Sequence, residues 1–132
     1  RAIIEILEKR GISFGKIPLG DYFLELEKSL TAVGPFGVGE ITLRDYEIII
    51  CGAALLKPEM GHLKTWPELF VSEKTYIPLK WDLSDFAEKL DFYEKNPDRC
   101  LDIAKAAQEV YRNALSEEGM EKFTNRLLEH II

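Results

Sequence analysis

The sequence has few residues of the kinds that bind metal ions or build disulfide frameworks. Its two histidines are His62 and His130, and its two cysteines, Cys51 and Cys100, lie far apart in apolar stretches. No Cys or His occurs at the spacing of a zinc site, and two cysteines are too few for a disulfide framework. We therefore expect no bound metal, no cofactor, and two buried thiols kept reduced in a cytoplasmic setting.

Clustered positive charge and long apolar runs are also lacking. The chain has 17 lysines and arginines against 23 aspartates and glutamates, a net charge of −6, with no basic block. A nucleic-acid partner is not expected, because neutralising phosphates needs clustered Lys and Arg. The longest apolar run, residues 48–56, is interrupted by Gly52 and is too short to span a bilayer. Membrane association is therefore not evident, and the charged N-terminal segment does not resemble a signal peptide.

The size and composition are typical of one globular domain, residues 1–132. Hydrophobic residues make up 46% and charged residues 30%, enough apolar material for a core. The first residues, "RAIIEILEKRG", already have the apolar spacing of a helix interior. Because natural chains seldom begin this way, we expect the sequence to be a piece of a longer protein.

Short apolar runs alternate with helical patterns along the chain. Runs typical of buried strands occur at residues 12–17, 31–36, 54–58 and 75–81, with helical spacing before, between and after them. Strands alternating with helices predict an α/β fold: a Rossmann-like parallel sheet of about four short strands, flanked by helices and followed by a helical C-terminus. Ligands of such sheets bind at the carboxyl ends of the strands. A helical bundle is the alternative.

One segment, residues 34–56, has the pattern of a ligand-binding loop that leads into a helix. It reads "GPFGVGEITLRDYEIIICGAALL". Gly37 and Gly39 let backbone approach a ligand closely, and Thr42 with Asp45 forms a loose capping box for the next helix. The first amides of that helix lie at the positive end of its dipole and favour an anionic group such as phosphate.

Charged side chains in the same segment suit a nucleotide. Arg44, in the first turn, can clamp a phosphate, and Glu47 lies on the same side of the helix. A carboxylate at Glu47 can accept hydrogen bonds from both hydroxyls of a ribose. If Thr42 caps the helix, Glu40 lies in the loop. The alternative is an ordinary strand–turn–helix in which Arg44 and Glu47 form a surface ion pair that contributes little.

A second group of candidates lies in "GHLKTWP". His62 and Thr65 follow a predicted strand and can line a pocket, although packing of Trp66 beside its proline is the simpler explanation. Other phosphate-binding signatures fail: "GISFGKI" lacks the spacing and the Ser or Thr of a Walker loop, and "GVGEIT" lacks the last glycine of a dinucleotide fingerprint.

The segment "PFGVGEITLRDYEIIICGAALLKPEMGHLKTWP" resembles the donor-binding half of glycosyltransferases with two Rossmann-like domains (GT-B). It is similar to the group-1-like branch, which has Arg-x-x-Glu ahead of Cys-Gly-Ala. The resemblance implies that Glu47 holds the ribose of a nucleotide sugar and that Gly37, Val38 and Gly39 lie near the diphosphate and sugar. The family separates its two glutamates by seven residues, whereas six separate Glu40 from Glu47. Arg44 is assigned to the diphosphate on its chemistry.

The resemblance implies a function for the whole chain. It would be the C-terminal, donor-binding half of an enzyme that transfers a sugar from a nucleotide sugar to an acceptor, without a metal at the diphosphate. The acceptor site and the catalytic base would come from a missing N-terminal domain, so the isolated piece should not turn over. The alternatives are a non-catalytic nucleotide-binding or protein-interaction module of the same fold, and a flavodoxin-like regulatory domain.

Overall fold

Three short parallel strands form the centre of the structure. The computed structural model describes residues 2–12 and 15–131, with the strands β1 (Thr31–Val33), β2 (Ala54–Pro58) and β3 (Ile77–Leu79). They lie in the order β1-β2-β3, and both neighbouring pairs are parallel. Every residue of the central strand β2 is buried, as expected for a parallel strand covered on both faces. The predicted α/β fold is confirmed, and the helical bundle is wrong.

Helices flank the sheet and form the C-terminal part of the chain. The helices in the described residues are α1 (Ala2–Lys9), α2 (Leu19–Lys28), α3 (Leu43–Ile50), α4 (Phe86–Lys95), α5 (Pro97–Ala114) and α6 (Glu117–Ile131). The last three follow one another without an intervening strand, which confirms the predicted helical C-terminus. None of the helices within the described ranges has the length and apolar character needed to cross a membrane.

The predicted first strand, residues 12–17, is not supported where it can be assessed. Ser13 and Phe14 lie outside the described residues, and the described positions on either side of them are not strand. Gly15 has φ +128°, outside the range of strands. The sheet of the described residues therefore has three strands instead of about four, and β1 and β3 are shorter than their apolar runs.

Alternate residues of β2 contribute to two apolar clusters, one on each face of the sheet. Leu55 packs with Ile48 and Ile49 of α3, while Leu56 packs on the opposite face with side chains that include Phe86 of α4. The alternation follows from the period of two along a strand. The two faces of the central strand thus pack against α3 and α4 respectively, while α5 contributes side chains to both clusters.

The two thiols differ in their surroundings. Cys100 is buried and Cys51 is half-buried, and both are free. The prediction of two buried thiols is therefore correct for Cys100 and only partly correct for Cys51, which follows the last residue of α3. Burial raises the pKa of both thiols.

Gly34 allows the end of β1 to lie against the start of α3. Its N–H continues the sheet by donating to the Leu56 backbone oxygen at 2.9 Å. A Cβ at this position would lie 2.3 Å from Asp45 Oδ1 and 2.6 Å from Leu55 Cδ1. Both distances are shorter than real side chains tolerate, so any larger residue must displace the Asp45 carboxylate and the Leu55 side chain.

We predict that Gly34→Ala destabilises the protein. Overpacking should lower the free energy of unfolding by about 1–3 kcal/mol, measured by denaturant titration. The control is Gly20→Ala in α2, where an added Cβ meets no heavy atom within 4 Å. That change should be neutral or stabilise by up to about 1 kcal/mol. Equal stability of Gly34→Ala and the wild type would contradict the close approach.

Candidate functional site

The loops that follow the three strands meet at one edge of the sheet, here called the carboxyl edge. Phe36 follows β1, His62 follows β2, and Trp81 follows β3. The Trp81 ring lies 5.0 Å from the Phe36 ring and 5.3 Å from the His62 ring, centroid to centroid. Its indole N–H also donates to the Glu59 backbone oxygen at 3.2 Å. Because 58% of Trp81 is exposed, the carboxyl edge offers an aromatic surface to a ligand.

The glycine loop, residues 34–42, forms one border of this edge. Its tip is open: Gly37 and Gly39 are exposed, and Val38 is fully exposed. The Gly37 N–H donates to the Gly39 oxygen at 3.1 Å, which folds the tip into a tight turn. A ligand can therefore reach the backbone of Gly37, Val38 and Gly39, the three residues expected from the resemblance to lie near a diphosphate and sugar.

The start of α3 has the predicted cap. Thr42 is the N-cap residue with extended backbone, and the Asp45 carboxylate accepts the Thr42 N–H at 2.8 Å. The negative charge that the helix dipole favours is thus supplied in part by Asp45 itself. A ligand phosphate would meet the exposed loop and Arg44 more readily than the helix terminus. Glu40 accordingly lies in the loop, as expected when Thr42 caps the helix.

Glu40 and His62 lie together at the carboxyl edge. His62 Nε2 is 2.9 Å from Glu40 Oε1, and about two-fifths of each side chain is exposed. The sequence singles out these two residues for separate reasons, and the structure brings them into contact. Thr65 is engaged within its own turn, where its hydroxyl donates to the Pro67 oxygen at 2.8 Å.

Arg44 and Glu47 meet through a residue that the sequence does not single out. The Tyr22 hydroxyl donates to Glu47 Oε2 at 2.9 Å, and the Arg44 guanidinium lies 5.4 Å from the Tyr22 ring centroid. Partial burial and the bond to Glu47 raise the pKa of Tyr22. Within the described chain, Arg44 and Glu47 form no direct ion pair. Tyr22 therefore contacts both side chains: its ring lies against the Arg44 guanidinium and its hydroxyl hydrogen-bonds Glu47.

Beneath the glycine loop lies a buried ion pair that sequence reasoning missed. Lys57 Nζ is 2.9 Å from Asp45 Oδ2, and both side chains are completely buried. The ammonium also donates to the Gly34 backbone oxygen at 3.3 Å and lies 5.2 Å from the Phe36 ring centroid. One signal was available: a lysine inside a strand predicted to be buried requires an anionic partner.

A separate cavity of about 560 Å³ lies away from these residues. It is bordered by residues 66–75 and by the facing parts of α5 and α6. None of the predicted site residues lines it, although its border begins at Trp66, the residue after Thr65. Arg126 of α6 lies over the Trp66 ring at 5.5 Å. In the part of the chain that is described, no group of three or more His, Cys, Asp or Glu side chains is arranged to hold a metal ion.

A model of the glycosyl transferase-like family matches residues 20–129, which include all three strands and the carboxyl edge. The chain belongs to this family. The predicted resemblance to a group-1-like glycosyltransferase domain is therefore confirmed. This glycosyl transferase-like domain is also similar to a protein of Invertebrate iridescent virus 6 that is described as uncharacterized protein 179R. The two are 34% identical over 53 residues, which is 40% of this chain but only 4% of the viral protein.

We predict a measurable coupling between Tyr22 and Glu47. In a double-mutant cycle of Tyr22→Phe and Glu47→Ala, the free energies of unfolding should show about 0.5–1.5 kcal/mol of interaction, because each change removes the same hydrogen bond. In a control cycle, Tyr22→Phe and Glu109→Ala, an exposed residue of α5, should be additive. Additivity in both cycles would show that the Tyr22–Glu47 bond does not orient the carboxylate.

Proposed function

We propose that the carboxyl edge binds a nucleotide-sugar donor and that the domain takes part in transferring its sugar to an acceptor hydroxyl. The observation that carries the proposal is the arrangement of Arg44 and Glu47. Tyr22 holds a cation and a carboxylate beside an open glycine loop, where ligands of parallel sheets bind. Membership of the glycosyl transferase-like family supports a donor of this class.

Glu47 would hold the ribose. Its Oε2 accepts the Tyr22 hydroxyl, and a carboxylate has capacity for further hydrogen bonds, so it can accept both ribose hydroxyls. The bond from Tyr22 fixes the direction of the carboxylate before the ligand arrives. Less side-chain freedom is then lost on binding, which favours affinity.

Arg44 and the glycine loop would hold the diphosphate. The guanidinium can form paired hydrogen bonds with phosphate oxygens, and the exposed backbone of Gly37, Val38 and Gly39 allows close approach. When the bond to the sugar breaks, negative charge builds up on the departing diphosphate. A cation already in place stabilises that charge without reorganisation. We propose that the Arg44 guanidinium, and not a divalent metal, neutralises the diphosphate.

The sugar would lie toward the Glu40–His62 pair and Trp81. The two polar side chains are partly exposed, so they can exchange hydrogen bonds with sugar hydroxyls, and the exposed indole offers an apolar face. The acceptor and the catalytic base are assigned to an N-terminal domain of a longer, cytoplasmic protein. The single domain of residues 1–132 should therefore bind the donor without turning it over.

We predict that the chain binds a nucleoside diphosphate and that Glu47→Ala weakens binding. Titration calorimetry with UDP, GDP and their sugars should show at least one ligand whose Kd rises about tenfold or more, since a hydrogen bond to a charged group is lost. Arg44→Met should weaken the same ligand and reduce the dependence of Kd on salt. Glu109→Ala removes an exposed carboxylate from α5 and should leave Kd unchanged.

The outcome separates the proposal from its alternatives. A folded wild-type sample that binds none of these ligands would exclude donor binding by this domain. Binding to the domain, together with a longer protein that neither transfers nor hydrolyses the sugar, would favour the non-catalytic nucleotide-binding module.

A further inference from the structure

The buried pair of Lys57 and Asp45 contacts both ends of the glycine loop. At the start of the loop, Lys57 Nζ donates to the Gly34 oxygen at 3.3 Å. At the end, the same ammonium is 3.1 Å and 2.9 Å from the two Asp45 oxygens. Asp45 in turn accepts the Thr42 N–H at 2.8 Å. One cation on β2 therefore ties together the first and last residues of the loop.

We propose that Lys57 and Asp45 are positioning residues that hold the glycine loop in the geometry that accepts the donor diphosphate. The inference rests on the proposed function, because it assigns the loop a ligand. Neither side chain would touch the donor, since both are completely buried. They would act through the loop backbone that they fasten.

Stability alone does not account for the pair. Removing two charges from water is expensive, and replacing a buried ion pair with apolar side chains of similar volume is often neutral or stabilising. The surroundings are nonetheless built to keep it: Gly34 has no room for a Cβ beside Asp45, and the Phe36 ring lies 5.2 Å from the ammonium. A requirement for one backbone geometry explains why charges occupy this place.

The loop has a composition that makes such fastening useful. Three of its residues are glycines, and its tip is exposed. A glycine-rich loop samples many conformations, and ordering it on binding would weaken affinity. Fixing both ends before the ligand arrives reduces this loss. The loop also contacts the aromatic surface through Phe36, whose ring centroid lies 5.0 Å from that of Trp81. Fastening the loop therefore keeps it in place against that surface.

The decisive variant is the double substitution Lys57→Met and Asp45→Asn. It removes both charges together, so no uncompensated charge stays buried, and the asparagine oxygen can still accept the Thr42 N–H. Its melting temperature should therefore lie within roughly 5 °C of the wild type. Lys57→Met alone leaves a lone buried carboxylate and should melt roughly 10–20 °C lower, so the double variant carries the test.

Two measurements on the double variant test the role in positioning. Backbone NMR order parameters at Gly37 and Gly39 should fall from about 0.8 to below about 0.6. The Kd for UDP or GDP, whichever the wild type binds, should rise tenfold or more. The control is Leu90→Ala, in the cluster on the opposite face of the sheet. It should lower the melting temperature while the order parameters and the Kd stay unchanged.

The results distinguish failure of this inference from failure of the proposed function. If the wild type binds UDP or GDP and the double variant keeps both its Kd and its order parameters, the role of the pair in positioning is overturned. Order parameters below about 0.6 at Gly37 and Gly39 in the wild type would overturn the role in positioning as well. If the wild type binds neither ligand, donor binding fails, whereas a loss of loop order in the double variant would still show that the pair fastens the loop.

Discussion

The contact between Lys57 and Asp45 joins the three parts of the structure on which the candidate site depends. Lys57 belongs to the central strand, Asp45 to the first turn of α3, and Gly34 to the end of β1. In the interior, an ion pair keeps its geometry because water neither screens it nor replaces its partners. The buried ion pair thus holds both ends of the glycine loop, while the exposed tip of the loop stays open to ligands.

Two layers can be distinguished in the site above this pair. Tyr22 gathers Arg44 and Glu47 on the α2 side, while Trp81 gathers Phe36 and the Glu40–His62 pair near the loops after β2 and β3. In the proposed complex, the ribose and the diphosphate of the donor would lie against the first layer and its sugar against the second. The cavity between residues 66–75 and the last two helices is separate from both layers.

Local signals in the sequence predicted the fold well, whereas contacts between distant residues could not be predicted. The parallel sheet, the Thr42 cap and the helical C-terminus follow from periodicity and capping patterns within a few residues. The Tyr22–Glu47 bond joins residues 25 positions apart, and the Lys57–Asp45 bond joins residues 12 apart. Such partners are chosen by the packing of helices on the sheet. The described residues of the predicted first strand, Ile12 and residues 15–17, are not strand, and this difference reflects the same limit, because an apolar run does not guarantee a neighbour to pair with.

The crowding at Gly34 restricts the order in which this protein can change over evolution. A side chain at that position would collide with Asp45 and Leu55 at once, so a single substitution there is penalised in the present background. Room must first be made at both neighbours before a larger residue at position 34 becomes tolerable. Homologous sequences should therefore vary at these three positions jointly, with changes at one accompanied by compensating changes at the others.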